Sequence, residues 1–155
     1  SAVYLGCDRQ HHDITTVVSH EYADCKSRQL IRGVLDDKAR GVFQGRVRVA
    51  PDAQKTDGQQ MSRALLLSRD AEADAKPELE IFADDVVCSH GATVGELDET
   101  LLFYLKSRGI DEAEARTMLI DAFLVDTLEE ISYQPFADFL RGQVSGWTAC
   151  QTGNR

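Results

Sequence analysis

The chain has 155 residues, with 26 acidic against 17 basic side chains and a formal net charge of −9. This length suits one domain with a real core, and 43% hydrophobic residues exclude an intrinsically disordered chain. The acidic balance argues against binding to bare DNA or to an anionic membrane surface. No apolar run is long enough to span a membrane and no signal peptide is visible, so we expect a cytoplasmic protein.

Residues 1–94 carry short strand patterns separated by turn signals. The run 46–49 alternates arginine with valine and stops at Ala-Pro-Asp in 50–52, and the run 78–81 alternates glutamate with an aliphatic residue. Alternation with a period of two is typical of strands that bury one face. No helical pattern separates these strands, so a β-sandwich and a β-solenoid both fit.

A weak internal echo favours the solenoid. Residues 23–27, Ala-Asp-Cys-Lys-Ser, return as Ala-Asp-Ala-Lys-Pro in 73–77 and more loosely in 53–57 and 86–89. Such a repeat with irregular spacing predicts the coils of a β-helix joined by tight turns of variable length.

Charge is distributed unevenly along the chain. Residues 32–69 hold eight basic and four acidic side chains, whereas residues 70–130 hold four basic and seventeen acidic ones. A field of one sign often faces a partner, and a solvated helix face is the alternative explanation.

From residue 93 the apolar period changes from two to about 3.6 residues. Three helices are predicted at about 96–108, 111–131 and 135–141, with a frayed tail from 145 to 155. A capping box of Thr93 and Glu96 is expected to start the first helix. Its inward stripe is predicted to contain Leu97, Leu101, Tyr104 and Leu105. The second helix is expected to turn Met118, Ala122, Val125 and Leu128 inward and Asp121, Asp126, Glu129 and Glu130 outward.

Two aspartate pairs are candidate acid–base groups. Asp36-Asp37 and Asp84-Asp85 each follow a predicted strand. Clustered carboxylates on a β-helix can hydrolyse glycosidic bonds, but an Asp-Asp pair after a strand more often forms a turn.

Other motifs are less specific. The histidines at 11, 12 and 20 could supply a base or a metal ligand, but His12 and His20 are too far apart in sequence for local geometry to place them on one face, so only the fold can decide. The glycine-rich stretch 91–95 lacks the lysine and spacing of a phosphate-binding loop and is predicted to be a turn. No ATP site is therefore expected on this chain.

The four cysteines, at 7, 25, 88 and 150, form no Cys-x-x-Cys motif, and we expect reduced thiols. Cys88 lies two residues before His90. In an extended segment the two side chains point to the same side. A thiolate and an imidazole make a soft, iron-compatible pair that needs ligands from elsewhere, and a buried cysteine beside a turn histidine is the alternative.

Five blocks of sequence resemble the SufB/SufD family of iron–sulfur cluster assembly proteins. The residues of the third and fourth blocks resemble the SufD branch of that family. In chain order the five blocks are residues 33–47, 49–57, 76–86, 88–95 and 102–110. The resemblance spans about residues 11–131, while the end of the chain, with Cys150, matches no family pattern.

The resemblance implies a right-handed parallel β-helix followed by a small helical subdomain, with the chain as the C-terminal part of a longer protein. We therefore expect residues 1–94 to form the last part of the β-helix core and residues 95–155 to form the helical subdomain. It also implies a non-catalytic scaffold that contacts a SufB-like subunit through the β-helix. A SufC-like ATPase is expected to dock on the helices, roughly residues 96–131.

In the family, a transient iron–sulfur cluster is thought to form at the interface of the two scaffold subunits. The histidine of the Cys-Ser-His-Gly motif corresponds to His90, which becomes the first candidate ligand, and Cys88 is the second. Two alternatives stay open: a carbohydrate hydrolase or lyase that uses Asp84 and Asp85, and a metal-free interaction module. The β-helix turn at the start of the chain, which the rest of the longer protein would cover, could also pair two copies of the chain.

Overall fold

A computed structural model describes residues 1–129 and 131–152 of the chain. The chain divides into two compact units, Ser1–Gly95 and Glu96–Arg155. The first unit contains the strands and the second contains the helices. Among the described helices, none combines the length and the apolar character needed to cross a membrane.

The strands of the first unit form two sheets. Their bounds are Ala2–Gly6 (β1), His11–His20 (β2), Lys26–Leu35 (β3), Arg40–Val49 (β4), Asp57–Leu66 (β5), Glu72–Ile81 (β6) and Val87–Glu96 (β7). One sheet has the order β1-β3-β5-β7 and the other the order β2-β4-β6. Consecutive strands therefore alternate between the sheets, and each successive pair makes one turn of a coil.

Strands one turn apart pair in parallel. Ala2 pairs with Ile31, and Arg40 pairs with Glu72, so one turn takes between 29 and 32 residues. The architecture is a parallel β-helix of about three turns followed by helices. This confirms the predicted fold class, and the sandwich alternative is wrong because the paired strands run parallel and coil through two sheets.

Alternation along β4 shows how the sequence builds the core. Gly41, Phe43, Gly45, Val47 and Val49 are buried, and the residues between them lie on the outer face. Phe43 and both valines are fully buried. Burial of a side chain of this size stabilises the fold by about 1.5–3 kcal/mol. The period of two therefore separates a β-helix interior from a charged exterior.

Close packing inside the coil depends on glycines one turn away from large side chains. Tyr4 is 6% exposed, and burial raises the pKa of its hydroxyl. A Cβ added at Gly33 would lie 2.1 Å from the Tyr4 ring, and one added at Gly41 would lie 2.5 Å from it. The two glycines therefore leave the space that the tyrosine ring occupies.

The corners of the coil repeat with the turns. Asp8 and Asp37 have φ angles of 54° and 52°, and Asp24 and Lys55 have φ angles of 61° and 59°. This left-handed conformation is uncommon for residues with a side chain, and aspartate adopts it more readily than most. The residues of each pair lie about one turn apart. Equivalent corners of successive turns therefore stack on one another with the same left-handed conformation.

The sequence echo is correct in part. Residues 23–27 and 53–57 lie at equivalent corners of successive turns, since Lys26 pairs with Asp57. Residues 86–89 also begin at a corner, where Val87 donates a backbone hydrogen bond to the residue before β5. Residues 73–77, in contrast, lie inside β6, so that member of the echo is wrong. The sequence of 73–77 resembles the corner segments only because small and polar residues alternate along β6.

Ion pairs between β4 and β6 cover the outer face of the second sheet. Arg40 lies 2.7 Å from Asp74, and Arg46 lies 3.0 Å from Glu78. Hydrogen bonds from Lys76 and Arg46 lower the pKa of the Glu78 carboxyl. Because the coil places a basic strand beside an acidic one, the opposite charges of the two sequence stretches partly neutralise each other on this surface.

The second unit contains three described helices, and their ends follow ordinary capping rules. They are Glu99–Ser107 (α1), Glu112–Glu129 (α2) and Gln134–Thr152 (α3). The Asp111 carboxylate accepts a hydrogen bond from the backbone N–H of Ala113 at 3.0 Å. Gly109, with φ of 85°, ends the α1 segment in a left-handed conformation that favours glycine.

The predicted capping box is wrong. β7 continues to Glu96, so Thr93 lies within a strand. The N-cap of α1 is Asp98, whose carboxylate accepts hydrogen bonds from the backbone N–H groups of Thr100 and Leu101. Strand pairing extends past the point where the sequence pattern changes, and the helix therefore starts at the next acidic cap.

The predicted end of the third helix is also wrong. Instead of stopping at Gly142, α3 continues to Thr152. Ala137, Val144 and Thr148 are buried along it at helical spacing, and the Thr148 hydroxyl donates to the carbonyl of Val144. These contacts outweigh the cost of about 1 kcal/mol that glycine imposes on a helix. Residues 153–155 of the expected tail lie outside the described residues.

The inward faces of the first two helices are only partly as predicted. In α1, Leu102 is buried whereas Leu101 and Tyr104 are about half exposed. In α2, Met118 and Ala122 are exposed. The buried residues of α2 are Ala115, Ile120, Leu124, Thr127 and Leu128. Apolar residues surround α2 on most sides, so periodicity alone selects no unique face. Glu130 lies outside the described residues.

We predict that Gly33→Ala lowers the free energy of unfolding by about 1–3 kcal/mol, because the added methyl group overlaps the Tyr4 ring. Gly95→Ala is the matched control: it lies in the same sheet, with no atom within 4 Å of the added Cβ, and should change stability by less than about 0.5 kcal/mol. Urea unfolding of both variants measures the difference. Equal stabilities would contradict the packing.

Candidate functional site at the last strand of the coil

The candidate ligands lie on β7, the last strand of the first sheet. β7 pairs with β5 on one side, and no described strand pairs with its other edge. Most of its side chains are exposed, including Val87 at 68% and Val94 at 48%. The glycine-rich stretch 91–95 lies within this strand, so the predicted turn there is wrong. β7 therefore presents an open sheet edge.

Two close contacts establish the register between β5 and β7. The Sγ atom of Cys88 lies 3.3 Å from the position of a Cβ added at Gly58, and Cε of Met61 lies 2.9 Å from a Cβ added at Gly91. Both contacts join residues 30 positions apart in the sequence. The side chain of Cys88 therefore packs against the backbone at Gly58, and the side chain of Met61 packs against the backbone at Gly91.

Cys88 points into the coil. It is half-buried and packs against the cluster that contains Val47, Val49, Ala50, Ala53 and Ala83. Two turns earlier, on the far side of Gly58, the hydroxyl of Ser27 lies in the same column and is hydrogen-bonded to the buried His20 ring at 2.8 Å. The thiol therefore lies at the end of an inward column of side chains.

His90 lies two residues further along β7, on the same side of the strand as Cys88, and it is exposed. The shared register places it beside Gln60 of β5, which in turn pairs with Gln29 of β3. Gln29, Gln60 and His90 therefore occupy successive turns of one inward column. Gln60 is buried in this column, Gln29 is half-buried, and the His90 side chain is exposed.

Gln60 is a residue of this region that the sequence did not single out. It is 2% exposed, and neither atom of its side-chain amide has a hydrogen-bond partner among the described residues. The signal that would have found it is the spacing of Gln29, Gln60 and His90 at 31 and 30 residues. That spacing equals one turn only once the repeat length is known.

The aspartate pairs serve the corners. Asp36 is buried, and its carboxylate accepts a hydrogen bond from the backbone N–H of Asp37 at 2.8 Å. The carboxylate of Asp37 accepts one from the N–H of Asp8. Asp84 and Asp85 are exposed in the corner before β7. The turn interpretation describes these residues better than a carboxylate pair in a substrate groove.

The other histidines lie apart along β2. His11 is exposed on the outer face, whereas His12 and His20 point inward. The His12 ring packs against Tyr4 with centroids 6.0 Å apart. The long β2 strand therefore brings His12 and His20 to one inward face, eight residues apart, which sequence spacing alone could not establish.

Cys88 and His90 supply two soft donors, and within residues 1–129 and 131–152 no three His, Cys, Asp or Glu side chains are grouped to hold a metal. Cys7, Cys25 and Cys88 form no disulfide in this part of the chain. Closed structural zinc sites in proteins have four ligands. A metal bound by this pair would need further ligands from another molecule.

Comparison with known proteins identifies the family. Residues 1–123 match the family described as "SUF system FeS cluster assembly, SufBD core domain". The chain is 49% identical over 119 residues to the iron–sulfur cluster assembly protein SufD of Escherichia coli, covering 77% of the chain. It is 40% identical over 151 residues to an iron–sulfur cluster assembly SufBD family protein of Synechocystis, covering 97% of the chain.

A third relative, SufD of Bacillus subtilis, is 37% identical over 129 residues and covers 83% of the chain. The chain spans only about three tenths of the length of these relatives, 28%, 32% and 30% respectively. The resemblance seen in the sequence is confirmed, including its SufD branch. The chain belongs to the SufBD core family of the SUF iron–sulfur cluster assembly system.

Proposed function

We propose that this chain contributes ligands to a site where an iron–sulfur cluster is assembled between two scaffold subunits. His90 is the principal ligand, Cys88 is the second candidate, and a SufB-like subunit supplies the rest. The cluster is cargo that passes through the site, in a cytoplasm where thiols stay reduced. The chain itself performs no catalysis.

The observation that carries this proposal is the position of the two donors on an open edge strand. Between Val87 and Gly95, β7 contains no proline and no Lys, Arg, Asp or Glu, the residues that usually protect an edge from pairing. β6, the last strand of the other sheet, carries Pro77 and alternating charges. The β7 edge therefore favours addition of a partner strand, which would bring partner ligands close to His90.

The helical unit is the proposed docking surface for a SufC-like ATPase. Large apolar side chains are exposed on it, including Phe103 at 74% and Tyr104 at 52%. The described acidic residues Asp126 and Glu129 of α2 are exposed as well. An apolar surface bordered by charge is typical of a protein interface. The ATPase would supply the nucleotide chemistry for which this chain has no recognisable motif.

The test uses the full-length protein that carries this chain, co-purified with its SufB-like and SufC-like partners. We predict that His90→Ala leaves the complex intact but lowers iron and acid-labile sulfide by about tenfold or more, because loss of a ligand weakens metal binding at least as much as loss of its supporting groups. His11→Ala, which changes another exposed histidine, should retain both elements at the wild-type level.

Wild-type iron and sulfide in His90→Ala would remove His90 from the site. If the double variant Cys88→Ser, His90→Ala also kept wild-type cluster content while the partners still bound, the metal-free interaction module would be favoured. Loss of the partners from His90→Ala would assign the residue to the interface.

The docking surface has its own test. We predict that Phe103→Ser weakens binding of the SufC-like ATPase about tenfold or more, since an exposed aromatic anchor often contributes over 1 kcal/mol to an interface. Tyr22→Ser, which removes an aromatic side chain that is 79% exposed on the strand unit, is the matched control and should bind normally. Titration calorimetry with the purified ATPase measures both. Equal affinities would place the docking surface elsewhere.

A further inference from the structure

The buried amide of Gln60 needs a physical explanation. Nearly all buried polar groups in folded proteins have hydrogen-bond partners, and an unpaired one costs about 1–3 kcal/mol. Gln60 is 2% exposed and has neither its Nε2 nor its Oε1 paired within the described chain. A leucine or methionine would fill this interior position without that cost, so the amide is expected to have a role.

The surroundings of Gln60 offer few partners. Its amide crosses the interior towards β4, because a Cβ added at Gly45 would lie 2.4 Å from the Gln60 Nε2 atom. Gly45 has no side chain, and the residue that pairs with it in the next turn is Pro77, which has no backbone N–H. One turn earlier the partner of Gly45 is Thr16, whose hydroxyl already donates to Gln29, so the opposite sheet provides no further side-chain donor for this amide at that level.

The column that contains Gln60 does offer partners. One turn earlier, Gln29 accepts a hydrogen bond from the Thr16 hydroxyl through Oε1 at 2.9 Å and keeps a second lone pair on that oxygen. One turn later lies His90, on the same inward column. After a change of side-chain rotamer, Gln60 can therefore donate to Gln29, and its carbonyl oxygen can accept a hydrogen bond from the imidazole.

We propose that Gln60 is a positioning residue for His90: its carbonyl oxygen accepts the N–H of one imidazole nitrogen, so that the other nitrogen is unprotonated and directed at the metal. This inference rests on the proposed function of His90 as a ligand. The bond forms when the exposed His90 side chain turns towards the interior, which requires only a change of side-chain rotamer. Metal-ligating histidines commonly donate their second N–H to such an acceptor, and this selects the tautomer.

The test measures the tautomer of His90 directly. Nitrogen-15 NMR of the histidine-labelled chain, at a pH well above the ordinary histidine pKa of about 6.5, reports which ring nitrogen carries the proton. We predict that Gln60→Met changes the ratio of the two His90 tautomers about fivefold, the effect of one net hydrogen bond. Ser62→Ala, another buried inward residue of β5, is the matched control and should leave the ratio unchanged.

Thermal unfolding separates this role from a structural one. Because methionine fills a similar volume without an unpaired amide, Gln60→Met should be at least as stable as the wild type, and Gln60→Leu is a second variant should it not fold. In the co-purified complex, Gln60→Met should lower bound iron. A purely structural residue would lower stability and leave the tautomer ratio alone.

The proposal is overturned if His90 shows the same tautomer ratio in the wild type and in Gln60→Met. The wild type alone also tests it, because His11 is exposed on the outer face and serves as a reference within the same chain. Identical ratios for His90 and His11 would mean that Gln60 does not act on the ring. If His90→Ala keeps full cluster content, the proposed function fails, while the tautomer measurement still decides whether Gln60 positions the ring.

Discussion

The stacking of parallel turns in register is the constraint on which the first unit depends. Every inward side chain must fit between the residues about 30 positions before and after it, because those residues occupy the same column. This explains why glycines stand beside Tyr4, and why Gly58 lies between a serine and Cys88. A change at one position is therefore transmitted along the coil axis rather than along the chain.

The same constraint produces the candidate site. A column that is fully packed in earlier turns ends at β7, where the next turn is absent from the described chain and the last inward side chains reach the surface. Cys88 and His90 are the chemically reactive members of those columns. The interior below them is close-packed, whereas the edge beside them is open. Such a combination suits metal-ligating side chains that one molecule holds in place while a second molecule supplies the remaining ligands.

Sequence reasoning predicted those features that depend on local patterns. The alternation in β4 is an example, because a period of two acts within a few residues. Sequence reasoning failed where tertiary packing determines the structure. The apolar residues of α2 lie on too many sides to define one buried face, and α3 continues past Gly142 because contacts of residues distant in sequence stabilise it. Gln60 was missed because its significance depends on residues a full turn away.

The most direct test of the account is whether a nitrogen atom of His90 binds the cluster. A complex assembled from full-length protein labelled with nitrogen-15 histidine and unlabelled partners would be reduced chemically and examined by pulsed electron paramagnetic resonance. The account predicts a nitrogen-15 coupling to the reduced cluster that disappears in His90→Ala. A cluster that forms without this coupling, or a coupling that persists in His90→Ala, would contradict the account.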